Sequence, residues 1–252
     1  MSKYGWKPDL PDHRDHTYSA PRRVTAALPS KVDLRRKCPP VYDQGELGSC
    51  TGQAIAAAFA FAKKKEAEPK VPFMAPSRLF IYYNERAMEG TISQDAGAQI
   101  RDGIKSVAKQ GVCLEGTWPY APRDFKKKPS KVAYSEALLS QALTYERVPQ
   151  SLAHMKGCLA SGFPFVFGFS VYEGFESDAV AKTGKLKMPG PTEAALGGHA
   201  VLCVGYTEST KRFLVRNSWG TDWAQKGYFT MPYEYLLNSN LSDDLWTIRT
   251  VE

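Results

Sequence analysis

The hydrophobic pattern divides the chain near its middle. Residues 53–62 are nearly all Ala, Ile and Phe, apolar on every side of a helical wheel, and polarity returns at Lys63. Alanine has high helix propensity, and an all-round apolar surface marks a helix buried in a core. Ile100, Ile104, Val107 and Ala108 recur at helical spacing, with Gly111 as a stop. "SRLFIYYNERAME", starting behind Pro76, and "SLAHMKGCLASG", capped by Ser151, predict two more helices. Beyond Gly162 the texture changes. "FPFVFGFSV", "HAVLCVGY", "RFLVRNSW", "GYFTMP" and "LWTIRTV" read as strands parted by Gly, Thr, Ser and Lys turns. Helices first and strands later predict an α+β chain in two halves. The expected division is an extension over residues 1–27 without periodicity, a mainly helical lobe over 28–145 and a mainly β lobe over 146–252.

Composition narrows the function classes. The 252 residues are 43% hydrophobic and 23% charged, an ordinary globular balance that can bury a large core. No apolar run approaches the ~18 residues of a membrane span. The start, "MSKYGWKPDLPDHRDH", lacks the apolar region of a signal peptide, so a cytoplasmic or non-classically exported protein is expected. The net charge of +7 sits in short clusters such as the two Lys-Lys-Lys runs, the signature of solvated ends. No nucleic-acid fingerprint accompanies it. A monomer with no dedicated nucleic-acid or membrane partner is expected. Five cysteines, an odd number without Cys-x-x-Cys, predict neither a disulfide framework nor a zinc site, and no cofactor or metal is called for.

The candidate chemistry starts at Cys50. Gly45 and Gly48 suit a loop and Ser49 a helix cap, so Cys50 falls in the first turn of the apolar helix. Unpaired backbone N–H groups and the helix dipole there favour a thiolate, the nucleophilic form. An inert buried cysteine fits this segment equally well. A thiolate nucleophile needs a base, an orienting group and oxyanion donors. Of four histidines, His13 and His16 lie in the extension and His154 in a short helix. His199 stands at a strand start behind Gly197 and Gly198, where another chain can approach closely. Asn217, 18 residues on, can accept from a ring nitrogen and fix the tautomer, with Trp219 as a shield from water.

Together these residues resemble the papain-like cysteine peptidases. "QGELGSC" is similar to that family's Gln-x5-Cys signature, "GGHAVLCVGY" to its histidine strand and "NSWG" to its Asn-Ser-Trp-Gly, in the family's order. The resemblance runs from about Leu28 to the end, and the short extension looks closest to a bacterial member of the family. It implies a two-lobed fold, a helical left domain and a β-barrel-like right domain with the active site in the cleft between them.

By position the resemblance makes Cys50 the nucleophile, His199 its acid/base partner and Asn217 the orienter. It pairs a Cys50 thiolate with a His199 imidazolium, and Gln44 and the Cys50 N–H form the oxyanion hole. Gly97 would pair with substrate backbone, Gly168 and Ala200 would line an apolar specificity pocket, and Trp219 would border the site. Such a pocket favours Leu, Val or aromatic side chains. The implied function is endopeptidase hydrolysis through a thioester; acyl transfer to an amine by the same site is the alternative. Two departures stand out. Leu47 replaces a family cysteine, removing its usual disulfide, and Thr51 replaces the aromatic residue after the nucleophile. The partner expected besides a peptide or protein substrate is the chain's own extension. Its Tyr4, Trp6, Leu10 and Tyr18 carry apolar bulk, and its prolines favour an extended strand that covers the cleft.

Overall fold

A computed structural model describes residues 4–66 and 75–251. In chain order the helices are α1 (Arg22–Thr25), α2 (Cys50–Glu66), α3 (Arg78–Met88), α4 (Ile100–Gln110), α5 (Lys131–Ala137), α6 (Leu152–Ala160), α7 (Asp178–Thr183) and α8 (Tyr233–Leu237). The strands are β1 (Lys31–Asp33), β2 (Ala142–Arg147), β3 (Phe165–Tyr172), β4 (Ala195–Thr207), β5 (Arg212–Arg216), β6 (Tyr228–Pro232) and β7 (Ser242–Val251). They form one sheet in the order β2-β7-β3-β4-β5-β6, with β1 added against β4 and every pairing antiparallel. The fold is α+β, as the change of periodicity predicts.

The sheet separates two apolar cores because its strands alternate faces at period two. Val166 of β3 and Ala200, Leu202 and Val204 of β4 point toward α2, α3 and α4. Phe165, Phe167, Phe169, Val201 and Cys203 point the other way, into an aromatic cluster with Phe175, Phe213 and Phe229. Every residue of α2 from Cys50 to Ala62 is buried, as its all-apolar wheel requires, and the helix reaches water at Lys63. Gly111 ends α4 at a φ of 74° and Ser151 caps α6 by accepting from the His154 N–H.

Local structure differs from the sequence expectations in several places. The cap of α3 is Ser77, whose hydroxyl accepts from the Phe80 N–H, so Pro76 lies outside the helix. The Ser49 hydroxyl is engaged by the Tyr120 hydroxyl at 2.6 Å and by the Gln53 amide at 3.2 Å. β1 and β2, from stretches expected to be mainly helical, join the sheet, and the extension contains the short helix α1. Leu10, expected to pack, is 82% exposed, and it is its carbonyl that is used, accepting from Arg101. Tyr18, only 2% exposed, belongs to the aromatic core. Its N–H bonds to the Arg147 carbonyl while the Arg147 N–H bonds to the His16 carbonyl. Residues 16–18 are therefore part of the body rather than a loose tail. Among the described residues, no helix is long and apolar enough to cross a membrane.

Candidate active site

Two chain segments meet to form the site. The loop ahead of α2 pairs with the segment after β5. The Gln44 N–H bonds to the Ser218 carbonyl at 2.9 Å, the Gly220 N–H bonds to the Tyr42 carbonyl at 3.0 Å, and Asp43 bridges Trp219. Ser218 also donates its hydroxyl to Gln44 Oε1 at 2.7 Å, which turns the amide nitrogen toward the loop, where it donates to the Leu47 carbonyl at 2.8 Å. Gln44 thus lies fully buried in the loop that leads into Cys50.

Cys50 opens α2 and is fully buried. Its sulfur receives the Ala200 N–H at 3.4 Å, so the residue next to His199 touches the nucleophile. The His199 ring nitrogen Nε2 lies 2.8 Å from Asn217 Oδ1. An amide oxygen can only accept, so Nε2 carries a proton and the tautomer is set. The Trp219 ring stands 5.3 Å from the imidazole, with Phe169 at 5.8 Å and Phe175 at 6.3 Å behind it. That aromatic wall keeps water from the histidine–asparagine bond and strengthens it.

The structure places the extension in this cleft. Gly5 runs so close to the loop ahead of α2 that a Cβ on it would stand 1.7 Å from the Gly48 carbonyl oxygen. The Ala98 N–H bonds to the Gly5 carbonyl and the Lys7 N–H to the Ala98 carbonyl, a parallel bridge centred on Trp6. Trp6 also donates its N–H to the Gly198 carbonyl at 2.9 Å. Gly97, at a φ of 68°, lets Gly5 come so near that a Cβ there would stand 2.1 Å from the Gly5 carbonyl oxygen. Tyr4 packs edge-on to His199 with centroids 5.9 Å apart, and its hydroxyl reaches Glu176.

This cover changes the electrostatics expected of the nucleophile. Burial pushes the Cys50 thiol up to about 12, against the pull of the Ala200, Gly5 and Thr51 N–H groups. Burial thus works against the thiolate half of the ion pair expected from the sequence.

Sequence reasoning missed two features, the partner of Thr51 and the place of Asp244. Thr51 donates its hydroxyl to Oε1 of Glu85 at 2.5 Å, so the departure after the nucleophile serves a buried carboxyl on α3. Burial holds that carboxyl well above its usual range. Leu47, at the place of the family's extra cysteine, packs against Leu79 and Tyr82, and the five cysteines are all free and buried. Asp244, fully buried on β7, accepts from the Trp6 indole N–H at 2.9 Å and the Asp9 N–H at 3.0 Å. Burial first, then the charge of Asp9, raises this carboxyl to about 7. Only the pairing of β7 with β3 brings it here, and no local motif marks it.

Residues 28–244 match the family described as papain family cysteine protease. Xylellain, a cysteine protease from Xylella fastidiosa, is 47% identical and superposes with a TM-score of 0.92, covering 100% of this chain and 97% of its own. A peptidase C1-like protein of Acanthamoeba polyphaga mimivirus is 44% identical over 98% of this chain and 87% of its own length. Bovine pro-cathepsin H is 29% identical, over 90% of this chain and 66% of its own length.

Proposed function

This chain belongs to the papain family of cysteine proteases, a family of thiol hydrolases, and from that premise we propose that it is an endopeptidase held latent by its own first residues. The observation that carries the catalytic reading is the run from Cys50 through Ala200 and His199 to Asn217. The histidine's neighbour touches the sulfur, and its Nε2 is held by the asparagine. With Nε2 bonded to Asn217, Nδ1 exchanges the proton. His199 takes the thiol proton as Cys50 Sγ attacks the scissile carbonyl. The oxyanion develops against the Gln44 amide and the Cys50 N–H at the start of α2. His199 then returns the proton to the leaving amine, giving a thioester that water, activated by the same nitrogen, hydrolyses.

The latency reading rests on the extension's path. The covering segment is fixed along the cleft by the bonds of Gly5 and Lys7 to Ala98 and of the Trp6 N–H to the Gly198 carbonyl. Trp6 fills a pocket beside the nucleophile, and Asp9 and Asp15 lie against Arg101 and Arg147 at 2.6–3.7 Å. Monomeric action on peptide or protein substrates follows from this reading.

The test is turnover of a peptide library by the full chain and by a chain starting at His16, which drops the cover yet keeps Tyr18 in the core. Hydrolysis products from the shorter chain at more than about tenfold the rate of the full chain support both parts. Products carrying a new amine in place of water would assign the site to acyl transfer instead. Equal rates from the two chains would dismiss latency.

A further inference from the structure

Both oxyanion donors of the mechanism above belong to one short loop. One is the side-chain amide of Gln44, and the other is the N–H of the peptide that joins Ser49 to Cys50. Their value depends on their spacing, since reacting groups misplaced by about 1 Å cost on the order of 10²-fold in rate. One atom from outside the loop touches both ends of it. The Tyr120 hydroxyl lies 2.9 Å from the Gln44 carbonyl and 2.6 Å from the Ser49 hydroxyl.

The protons of this contact can be placed. A carbonyl only accepts, so the single hydroxyl proton of Tyr120 goes to Gln44, and Ser49 donates to the Tyr120 oxygen. Ser49 in turn accepts from the Gln53 amide nitrogen at 3.2 Å. Gln53 is held in that sense because its Oε1 receives Nη1 of Arg78 at 3.3 Å, and a guanidinium only donates. The bonds from Arg78 through Gln53, Ser49 and Tyr120 to Gln44 therefore all run one way. Ser49 and Gln53 are buried, so water does not replace a partner lost from this chain.

The far end of the chain is anchored. Arg78 opens α3, and Glu115 takes its Nη2 at 2.7 Å and its Nε at 3.3 Å. Its guanidinium stacks on the rings of Tyr42 at 4.8 Å and Tyr120 at 4.3 Å. Glu115 also accepts the Tyr120 N–H at 2.8 Å. Tyr120 is thus held by its backbone and its ring, and its hydroxyl presents a fixed point to the loop.

We propose that Tyr120 is a positioning residue for acylation of Cys50, its hydroxyl setting the distance between the two oxyanion donors by tying Gln44 to Ser49. It acts through those residues on the transition state and not on the binding of the ground state. This rests on the thioester chemistry proposed above, and it holds whether water or an amine takes the acyl group.

The parent for the experiment is the full chain with Trp6→Ala, which weakens the cover equally in every comparison. The substrate is a fluorogenic peptide amide, whose fluorescent amine is released as the thioester forms. Tyr120→Phe keeps the ring and removes the hydroxyl; it should lower kcat about tenfold and leave KM within about twofold. In a Gln44→Ala background the same change should lower kcat by no more than about threefold, because the donor being placed is gone. Ser49→Ala leaves the bond from Tyr120 to Gln44 and should cost less than Tyr120→Phe. Alkylation of Cys50 by iodoacetamide, a displacement that develops no oxyanion, should run at the same rate in the parent and in Tyr120→Phe. Unchanged kcat, losses that multiply across Tyr120→Phe and Gln44→Ala, a change confined to KM, or alkylation slowed in step with kcat would overturn the role of Tyr120 alone. A parent that is alkylated at Cys50 but releases no amine would overturn the thioester reading, and the positioning role with it.

Discussion

At the scale of single residues, the covered nucleophile has a measurable signature. A Cys50 thiol pushed up to about 12 by burial stays protonated at neutral pH. Iodoacetamide should therefore label it slowly in the full chain, with the rate still rising above pH 9. The chain starting at His16 should label rapidly and hold its rate into mildly acid solution, the behaviour of an activated thiolate with a pKa of roughly 3.5–7.5. Identical pH profiles for the two chains would sever the link between cover and nucleophile. Gln44 offers an independent check in that shorter chain. Its amide is held by Ser218 and Leu47, so Gln44→Ala removes one oriented donor and should lower kcat on the order of 10²-fold with little change in KM. A loss confined to KM would mean that Gln44 binds substrate without stabilising the oxyanion.

At the scale of elements, α2, α3 and α4 meet around a carboxyl that titrates against its surroundings. Glu85 of α3 is fully buried, takes the Thr51 hydroxyl from α2, and lies 2.4 Å from where a Cβ on Gly103 of α4 would stand. Its folded pKa is raised, chiefly by burial. The folded state thus holds the proton more tightly than the unfolded chain, whose glutamate titrates near ~4.3. Stability is then fullest below that value and falls as pH rises toward the folded pKa. Glu85→Gln removes the titration. In urea melts the variant should match the parent near pH 4 and gain on it steadily toward pH 7; a gap independent of pH would contradict the burial account.

These same elements show what could be read in advance. The buried wheel of α2, the glycine end of α4 and the five strands beyond Gly162 were legible because period and punctuation are local. So were Cys50, His199, Asn217 and Gln44, each inside a motif of fixed order. β1 was not, being three residues whose partner lies in β4, and neither was β2, whose pattern of burial does not alternate cleanly. Asp244 was out of reach for another reason. Its place depends on a one-residue slip between β7 and β3, which is a property of a pair of strands and leaves no trace in either alone.

At the scale of the whole molecule, the extension is two devices in series. Residues 16–18 are built into the sheet and aromatic core, while residues 5–9 occupy the cleft. Between them, Arg101 and Arg147 hold Asp9 and Asp15 in a partly buried cluster stacked near Trp246. Removing one partner from such a pair costs about 2 kcal/mol or more. Asp15→Asn should therefore raise the turnover of the full chain about 30-fold, at about 1.4 kcal/mol per tenfold, and cannot act in a chain that begins at His16. Unchanged activity would show that the cluster serves the fold and not closure.

The built-in anchor at Tyr18 also fixes the molecularity of the switch. Cover and cleft share one unbroken backbone, so opening is a first-order event, and the open fraction of the intact chain should be the same at nanomolar and micromolar enzyme. The exposed turn around His13 and Arg14 is the natural place for a cut. After a cut there, the freed peptide must find its site by diffusion and forfeits an effective concentration on the order of mM. Specific activity would then climb as the nicked protein is diluted, while that of the uncut protein stays level. One dilution series thus tells a tethered lid from a dissociable inhibitor, and tells a protein that can close again from one that, once cut and diluted, cannot.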